Sequence, residues 1–219
     1  MTPKTDPHPG PAEARLEATR RRVSSAARIA LSDGGGLTDR VVADVSKQAG
    51  VHVTAFRVLF PTDDSLLDAV NDVLVEECAD RLRGGVGRFV PAEGQTSFSA
   101  AARALAESLP LDRGSIVIRA DRRLRALRRG SDGAPAAAAE RRYVEALVDV
   151  LDDMVHKLGR RFSWPPMVAV RLILDTYERS FEAWLLGGND ESQFHLSTYV
   201  ERTLPMLLEQ FTEPAADQR

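Results

Sequence analysis

The segment from residue 41 to residue 67 most constrains the fold of this chain, because it has the spacing of two short helices joined by a tight turn. Its sequence is VVADVSKQAGVHVTAFRVLFPTDDSLL. Val41, Val42 and Val45 fall on one face of the first helix. Gly50 can adopt the left-handed conformation that ends a helix and turns the chain. A second apolar-spaced run follows at once, so the segment predicts a helix-turn-helix.

Short polar residues indicate where these helices begin. Thr38 and Asp39 precede the first helix as candidate N-caps, since their side-chain oxygens can accept hydrogen bonds from free backbone N–H groups. Thr62 does the same for a third helix, and Asp63 and Asp64 place carboxylates at its positive end. We therefore expect a third helix to close the unit.

The second helix of a helix-turn-helix presents its outer face to the major groove of DNA. His52, Thr54 and Arg57 are the polar residues that remain for that face, and Arg57 can bind a phosphate or a guanine edge. Arg40 and Lys47 on the preceding helix are suited to phosphates. These five residues are the predicted DNA contacts, and the cluster at residues 20–22 (Arg-Arg-Arg) is expected to add phosphate contacts.

Residues 15–75 resemble the N-terminal domain of the TetR family of bacterial transcriptional regulators. The matching pieces are AARIAL at 26–31, DGGG at 33–36, VSKQAGV at 45–51, Phe60, and LLDAV at 66–70. The resemblance implies an all-α fold, with an N-terminal three-helix helix-turn-helix DNA-binding domain and a C-terminal helical ligand-binding and dimerisation domain. It also implies a DNA-binding regulator, usually a repressor, whose affinity for a double-stranded DNA operator is controlled by a small-molecule effector.

The chain departs from the family pattern in and after the second helix. Arg57 stands where the family usually has Tyr, and Asp63 stands where a Lys often contacts phosphate. Val53, Val58 and Leu59 make the helix unusually apolar. Asp63 would repel the DNA backbone. A second interpretation therefore stays open, in which the chain is a ligand- or protein-binding dimer derived from a helix-turn-helix protein that no longer reads DNA.

The rest of the chain is predicted to be helical, because Pro and Gly clusters separate long amphipathic runs. We expect a flexible N-terminal tail over 1–14, the helix-turn-helix domain over 15–62, the ligand-binding and dimerisation domain over 63–212, and a C-terminal tail over 213–219. The predicted helices after the turn are 63–83, 95–109, 113–129, 136–158, 165–186 and 191–211.

The last two predicted helices carry apolar stripes with a heptad-like spacing. Such a stripe can fill the core of one protomer or meet a second copy across a two-fold axis. By the resemblance we favour a homodimer through these helices. The predicted interface residues are Val170, Leu174, Phe181, Trp184, Val200, Leu204 and Leu207.

The middle helices, 95–158, are the expected ligand chamber by the same resemblance. Side chains with polar tips or flexible stems could meet a small molecule in an apolar cage. The candidates are Phe98, Tyr143, Met154, His156 and Tyr177. Each can also be an ordinary core residue. The arginine-rich run over 119–129 is expected to be a solvated face, with a pocket for an anionic effector or a patch near the DNA backbone as the alternatives.

Charge and composition fit this class of protein. Residues 1–60 carry nine basic and six acidic side chains, although the chain of 219 residues has a net charge of −3. A basic head would favour DNA. The single cysteine, Cys78, excludes a disulfide framework and fits a reducing cytoplasm. We expect it to be a small core residue.

Motifs typical of enzymes are missing from the sequence. The four histidines lie far apart, and no pair has metal-ligand spacing. The glycines at 34–36 lack the Lys and Ser/Thr of a phosphate-binding loop. We therefore predict no enzymatic activity, no metal and no cofactor. No apolar run approaches the ~20 residues of a membrane span, and no signal peptide is recognisable, so a cytoplasmic protein without a membrane partner is expected.

Overall fold

The computed structural model describes residues 10–32, 36–91, 98–109, 111–129 and 134–215. Within these ranges the chain is almost entirely helical, which confirms the predicted all-α class. The α-helices are α1 Pro11–Leu31, α2 Asp39–Gln48, α3 Val53–Leu59, α4 Asp63–Arg88, α5 Phe98–Ser108, α6 Arg113–Arg129, α7 Ala134–Lys157, α8 Pro166–Leu186 and α9 Leu204–Gln210. Residues 1–9 of the predicted N-terminal tail, and most of the glycine loop at 33–36, lie outside the described residues.

By its internal contacts the chain divides into two units, Met1–Val73 and Leu74–Arg219, and the division falls inside α4. The first unit comprises α1, α2, α3 and the beginning of α4. Its core contains Val45, Phe56 and Phe60, whose side chains are fully buried. The rings of Phe56 and Phe60 lie 5.7 Å apart and tilted. The apolar positions of the helix-turn-helix thus serve the packing that their spacing predicts.

A short pair of strands in the second unit was not predicted. β1 (Arg160–Phe162) runs antiparallel to β2 (Thr212–Pro214), with Arg161 opposite Glu213. Ala215 N also donates to Gly159 O at 3.0 Å. The beginning of the predicted C-terminal tail is therefore ordered as a strand, while residues 216–219 lie outside the described residues. Because β1 precedes α8 and β2 follows α9, the pair holds the beginning of α8 beside the end of α9.

Helix α4 continues to Arg88, five residues beyond the end predicted from its glycine-rich stretch. Gly85 allows α4 and α5 to pack closely, since a Cβ at this position would lie 1.7 Å from Ser108 Oγ on α5. Lys157 Nζ from α7 donates to Val86 O at 2.6 Å, which satisfies a carbonyl in the last turn of α4. Packing and capping by distant residues therefore override the local helix-breaking tendency of glycine.

The predicted helix 191–211 is broken into shorter elements. They are a 3₁₀-helix at Glu191–Leu196, a π-helix at Tyr199–Thr203, and α9. Ser197 between the first two has extended backbone angles, φ −67° and ψ 152°. Pro205 stands near the beginning of α9, where its missing N–H costs no helical hydrogen bond. The apolar spacing was visible in the sequence, but these interruptions of the helix were not.

Candidate nucleic-acid interface and charged cleft

The predicted turn between α2 and α3 is present. Gly50 has a φ of 66°, the left-handed conformation for which glycine was expected. Val51 N donates to Ser46 O at 2.9 Å, which closes the turn. Thr38 is the N-cap of α2, where its hydroxyl oxygen accepts from Val41 N at 3.3 Å. The turn and the beginning of α2 thus follow local sequence rules.

Helix α3 is fixed to the first unit by its inner face. Phe56 and Leu59 on that face are buried. Arg20 of α1 reaches the C-terminal end of α3, where a guanidinium N–H donates to Leu59 O at 3.4 Å. The guanidinium also lies 5.1 Å from the centroid of the Phe60 ring. Arg20, which with its two neighbours was expected to bind phosphate, thus also holds the C-terminal end of α3.

Two of the predicted base-reading residues are hydrogen-bonded to each other. His52 is the N-cap of α3, and its Nδ1 accepts from Thr54 N at 3.2 Å. The same nitrogen lies 3.1 Å from Thr54 Oγ1. Both side chains are exposed. Their position at the beginning of α3 agrees with the prediction, and capping is a role that the sequence reading had not assigned to His52.

Arg57 lies between carboxylates from the first turns of two other helices. Its guanidinium is 3.6 Å from Asp63 Oδ1 at the beginning of α4 and 3.9 Å from Asp39 Oδ1 at the beginning of α2. All three side chains are at least partly exposed, so each pair contributes little to stability. The two departures from the family pattern, Arg57 and Asp63, are thus partners.

The other predicted DNA contacts are also exposed. Arg40 Nε lies 4.0 Å from Asp44 Oδ2, and Lys47 is exposed on the last turn of α2. The basic bias, however, does not extend over the whole first unit. Residues 1–73 carry nine basic and ten acidic side chains, because the beginning of α4 adds four aspartates. The outer face of α3 also exposes Val53 and Val58, by 43% and 75%.

The predicted ligand residues lie in different environments. Tyr143, Met154 and Tyr177 are buried in the core of the second unit. Phe98 is half-buried, with the Arg160 guanidinium 5.1 Å from its ring centroid. His156 is exposed on α7, and its Nδ1 lies 2.8 Å from the backbone oxygen one turn earlier.

A cleft of about 270 Å³ lies instead between α6, α7 and α8 of the second unit. Most of its lining side chains are charged, with equal numbers of arginines and carboxylates. They are Ile116, Arg119, Ala120, Arg123, Glu140, Arg171, Asp175, Glu178, Arg179 and Glu182. None of the five ligand residues predicted from the sequence is among them.

A buried ionic cluster forms the floor of this cleft. Arg119 on α6 pairs with Glu178 on α8 and lies 2.8 Å from Glu140 on α7. Arg123, one turn further, lies 3.0 Å from Glu178 and 3.3 Å from Glu140. The side chains of Arg119 and Glu178 are only 7% exposed. The arginine run is therefore not a uniformly solvated face, because Arg119 and Arg122 are buried.

The electrostatics of the cluster favour its charged form. Burial acts to raise the pKa of Glu140, but the guanidinium groups of Arg119 and Arg123 more than offset it, so the pKa of Glu140 is lowered. The Arg119 guanidinium lies 4.0 Å from the centroid of the Tyr143 ring. Its Nε is buried and has no hydrogen-bond partner among the described residues. The sequence did not reveal the cluster, because its ion pairs join residues that are 17 to 59 positions apart.

The apolar stripes of the last two predicted helices fill the core of the second unit itself. Five of the seven predicted interface residues are at most 4% exposed. These five are Val170, Leu174, Phe181, Val200 and Leu204, while Trp184 and Leu207 are half-buried. The heptad-like spacing therefore reflects packing within one protomer. A contact of α8 and α9 with a second copy would have to use side chains other than these five.

The described residues hold no group of three or more His, Cys, Asp and Glu side chains that could bind a metal ion. No helix in the described part of the chain is long and apolar enough to cross a membrane.

Comparisons with known proteins identify the fold. No family model matches the sequence, and no curated protein matches it. Among solved structures, the chain is similar to EbrR, a multidrug binding protein complexed with imidazole, with 22% identity, a TM-score of 0.57 and coverage of 90% of this chain and 97% of that one. A protein from Mesorhizobium loti assigned to the TetR family of transcriptional regulators is 15% identical, with a TM-score of 0.56 and coverage of 90% and 96%. A transcriptional regulator from Rhodococcus sp. is 19% identical, with a TM-score of 0.53 and coverage of 88% and 95%. The chain therefore has the fold of TetR-family regulators over nearly its whole length, as the resemblance predicted.

Proposed function

We propose that this chain is a cytoplasmic DNA-binding transcriptional regulator that acts as a repressor. The observation that carries the proposal is the helix-turn-helix around Gly50, in which α3 is fixed by its inner face and exposed on its outer face. A helix presented in this way fits the major groove. The fold shared with transcriptional regulators supports the same function.

In the proposed complex the predicted residues divide by role. His52, Thr54 and Arg57 lie on or next to the outer face of α3 and meet base edges, whereas Arg40 and Lys47 meet phosphates. Arg57 must leave Asp39 and Asp63 to do so. Because exposed pairs of this kind are worth ~0–1 kcal/mol, that exchange has a low cost.

The test is selection of bound sequences from random duplex DNA by the purified full chain at moderate salt. We expect enrichment of a palindrome whose half-sites lie about one helical turn apart. Arg57→Ala should then lower the affinity for the enriched duplex. Arg83→Ala is the matched control, because Arg83 is also exposed and paired with a nearby carboxylate, Asp80, but lies in the second unit. An equal affinity of the two variants would contradict the assigned face.

A second candidate function is a ligand- or protein-binding dimer that no longer reads DNA. The two carboxylates around Arg57 and the acidic balance of residues 1–73 favour it. A folded, dimeric protein that enriches no sequence would support this candidate and reject the first.

We also propose that the chain is a homodimer through α8 and α9. Two contacts give the relative direction of the chain segments that contain these helices. The rings of Trp164 and Phe211 lie 5.7 Å apart, and Thr176 Oγ1 lies 3.0 Å from the Tyr199 hydroxyl. The chain segments therefore run antiparallel, as the strand pair also requires.

Exposed apolar side chains lie between those two contacts. Val168 and Leu172 on α8 are 43% and 39% exposed, and Met206 on α9 is 55% exposed. We call this set the α8–α9 apolar face. A second copy is the occupant that the proposed DNA reading requires, since two copies of α3 must reach two half-sites.

Control by a small molecule is the last part of the proposal. The cleft between α6, α7 and α8 offers guanidinium and carboxylate groups, so it suits a small charged or zwitterionic compound. A ligand that favours one arrangement of α6 would change operator affinity by ~1–3 kcal/mol. Screening charged small compounds for an effect on binding to the enriched duplex tests this. Arg123→Ala, which removes one guanidinium from the cleft, should remove the response.

A further inference from the structure

The outer face of α3 is defined by what its inner face buries. Phe56 and Leu59 point into the first unit. With about 3.6 residues per turn, the opposite side of the helix holds Thr54 and Val58, which are four residues apart and therefore stacked one above the other. Arg57 and Val53 lie beside them. This is the side that would enter the groove.

Part of the polar capacity on and beside that side is already engaged inside the protein. His52 Nδ1 accepts from Thr54 N at 3.2 Å and lies 3.1 Å from Thr54 Oγ1. Arg57 lies 3.9 Å and 3.6 Å from the carboxylates of Asp39 and Asp63. Reading of base edges by the Arg57 guanidinium would therefore loosen its ion pairs with these carboxylates.

The methyl groups of two valines remain available without any exchange. Val58 is 75% exposed and Val53 is 43% exposed. The C5 methyl of thymine is the one apolar group that a base pair presents in the major groove, and apolar side chains contact it directly.

We propose that Val58, supported by Val53, reads thymine methyl groups in each operator half-site and is a specificity-determining residue. The inference rests on the proposed DNA-binding function. It assigns to an apolar contact the role that the predicted polar residues were expected to fill alone.

The experiment replaces thymine by deoxyuridine, one position at a time and in both half-sites together, in the duplex enriched from random DNA. Deoxyuridine keeps the Watson–Crick pairing and lacks only the C5 methyl. At one or two positions per half-site we expect the affinity of the full chain to fall about fourfold per methyl lost, the factor that corresponds to burial of one such group.

The Val58→Ala variant identifies the residue that makes the contact. Val58 is exposed, so the substitution removes no core packing. With this variant the thymine and deoxyuridine duplexes should bind equally well at the sensitive positions. Val90→Ala, a matched change at an exposed valine of the second unit, should keep the full discrimination.

The possible failures are distinguishable. Enrichment of a palindrome whose affinity is the same with thymine and deoxyuridine overturns the inference and leaves the proposed function intact. Discrimination that persists in Val58→Ala overturns the assignment to Val58. If folded protein enriches no DNA sequence, the proposed function and this inference both fail.

Discussion

Gly85 of α4 packs so closely against Ser108 of α5 that only hydrogen fits as its side chain. A Cβ there would lie 1.7 Å from Ser108 Oγ and 2.3 Å from Ser108 Cβ. We expect Gly85→Ala to lower the free energy of unfolding by ~1–3 kcal/mol, because the helices must move apart. Urea denaturation of the purified variant measures the change.

Two neighbouring glycines of the same helix are the controls. A Cβ at Gly84 would lie 3.6 Å from Arg88 Nη1, an ordinary contact, and a Cβ at Gly87 would meet no neighbouring atom within 4 Å. Alanine at either position should stabilise the helix by ~0.5–1 kcal/mol. Adding Ser108→Gly to Gly85→Ala should restore most of the loss. A Gly85→Ala variant as stable as Gly84→Ala would show that α4 and α5 are not this close.

Cys78 makes the stability depend on alkaline pH. Burial raises the pKa of its thiol from an ordinary 9.0 to about 11. The folded protein thus binds this proton more tightly than the unfolded chain. Its contribution is fully present below pH 9 and is lost as the pH rises through about 11.

We expect the Cys78 thiol to account for ~1.4 kcal/mol of the stability lost between about pH 8 and pH 10. Burial also raises the pKa of Tyr143, which lies 3.8 Å from the Cys78 sulfur, so part of the alkaline loss should remain without the thiol. Urea denaturation at the two pH values, for the natural chain and for Cys78→Ala, isolates the share of Cys78. Identical pH dependence in the two proteins would refute the assignment.

Helix α6 is attached to its neighbours partly through charge. Arg119 and Arg123 both reach Glu140 of α7 and Glu178 of α8. Removal of one partner from a buried pair leaves an uncompensated charge. We therefore expect Glu178→Gln to destabilise the protein by ~3–5 kcal/mol, as measured by urea denaturation.

An exposed ion pair provides the control for this prediction. Asp175→Asn breaks the pair with Arg171, whose atoms are 3.8 Å apart on the surface of α8, and should change stability by less than ~0.5 kcal/mol. The double variant Arg119→Met with Glu178→Leu replaces the buried pair by apolar groups and should lose much less than Glu178→Gln. Equal effects of Glu178→Gln and Asp175→Asn would mean that the cluster does not hold α6.

At the scale of elements, the sequence predicted what depends on neighbouring residues. The turn at Gly50 and the N-cap at Thr38 follow from local rules, and both are present. The predicted end of α4 was wrong, because contacts with Ser108 and Lys157, which are distant in sequence, allow its glycines to remain helical. The strand pair was missed because three-residue strands carry too little periodicity to recognise.

The candidate site also combines features that neighbouring residues determine with features that depend on distant residues. His52, Thr54 and Arg57 were placed correctly on or beside an exposed helix, because the period of the helix decides exposure. Their partners were not foreseen, since the pairs of Arg57 with Asp39 and Asp63 depend on how three helices meet. The charged cleft depends on the packing of α6 against α7 and α8, which no local pattern encodes.

For the whole molecule, the proposed homodimer depends on which side of α8 and α9 would meet a second copy. The stripe that contains Phe181 and Leu204 is buried in the protomer, so glutamate at these positions should unfold the protein rather than separate a dimer. The α8–α9 apolar face is exposed. Leu172→Glu with Met206→Glu should therefore give folded monomers, because a dimer would bury two unpaired carboxylates per protomer.

Light scattering gives the mass of this variant, and urea denaturation shows whether each protomer remains folded. The matched control is Val90→Glu with Leu127→Glu, two exposed apolar residues outside α8 and α9, which should remain dimeric. The monomeric variant should also bind the enriched palindrome far more weakly, because the second half-site no longer benefits from the effective concentration that the dimer provides. A variant that is still dimeric would move the interface away from the α8–α9 apolar face. Loss of the dimer with unchanged DNA affinity would show that one protomer reads its site alone.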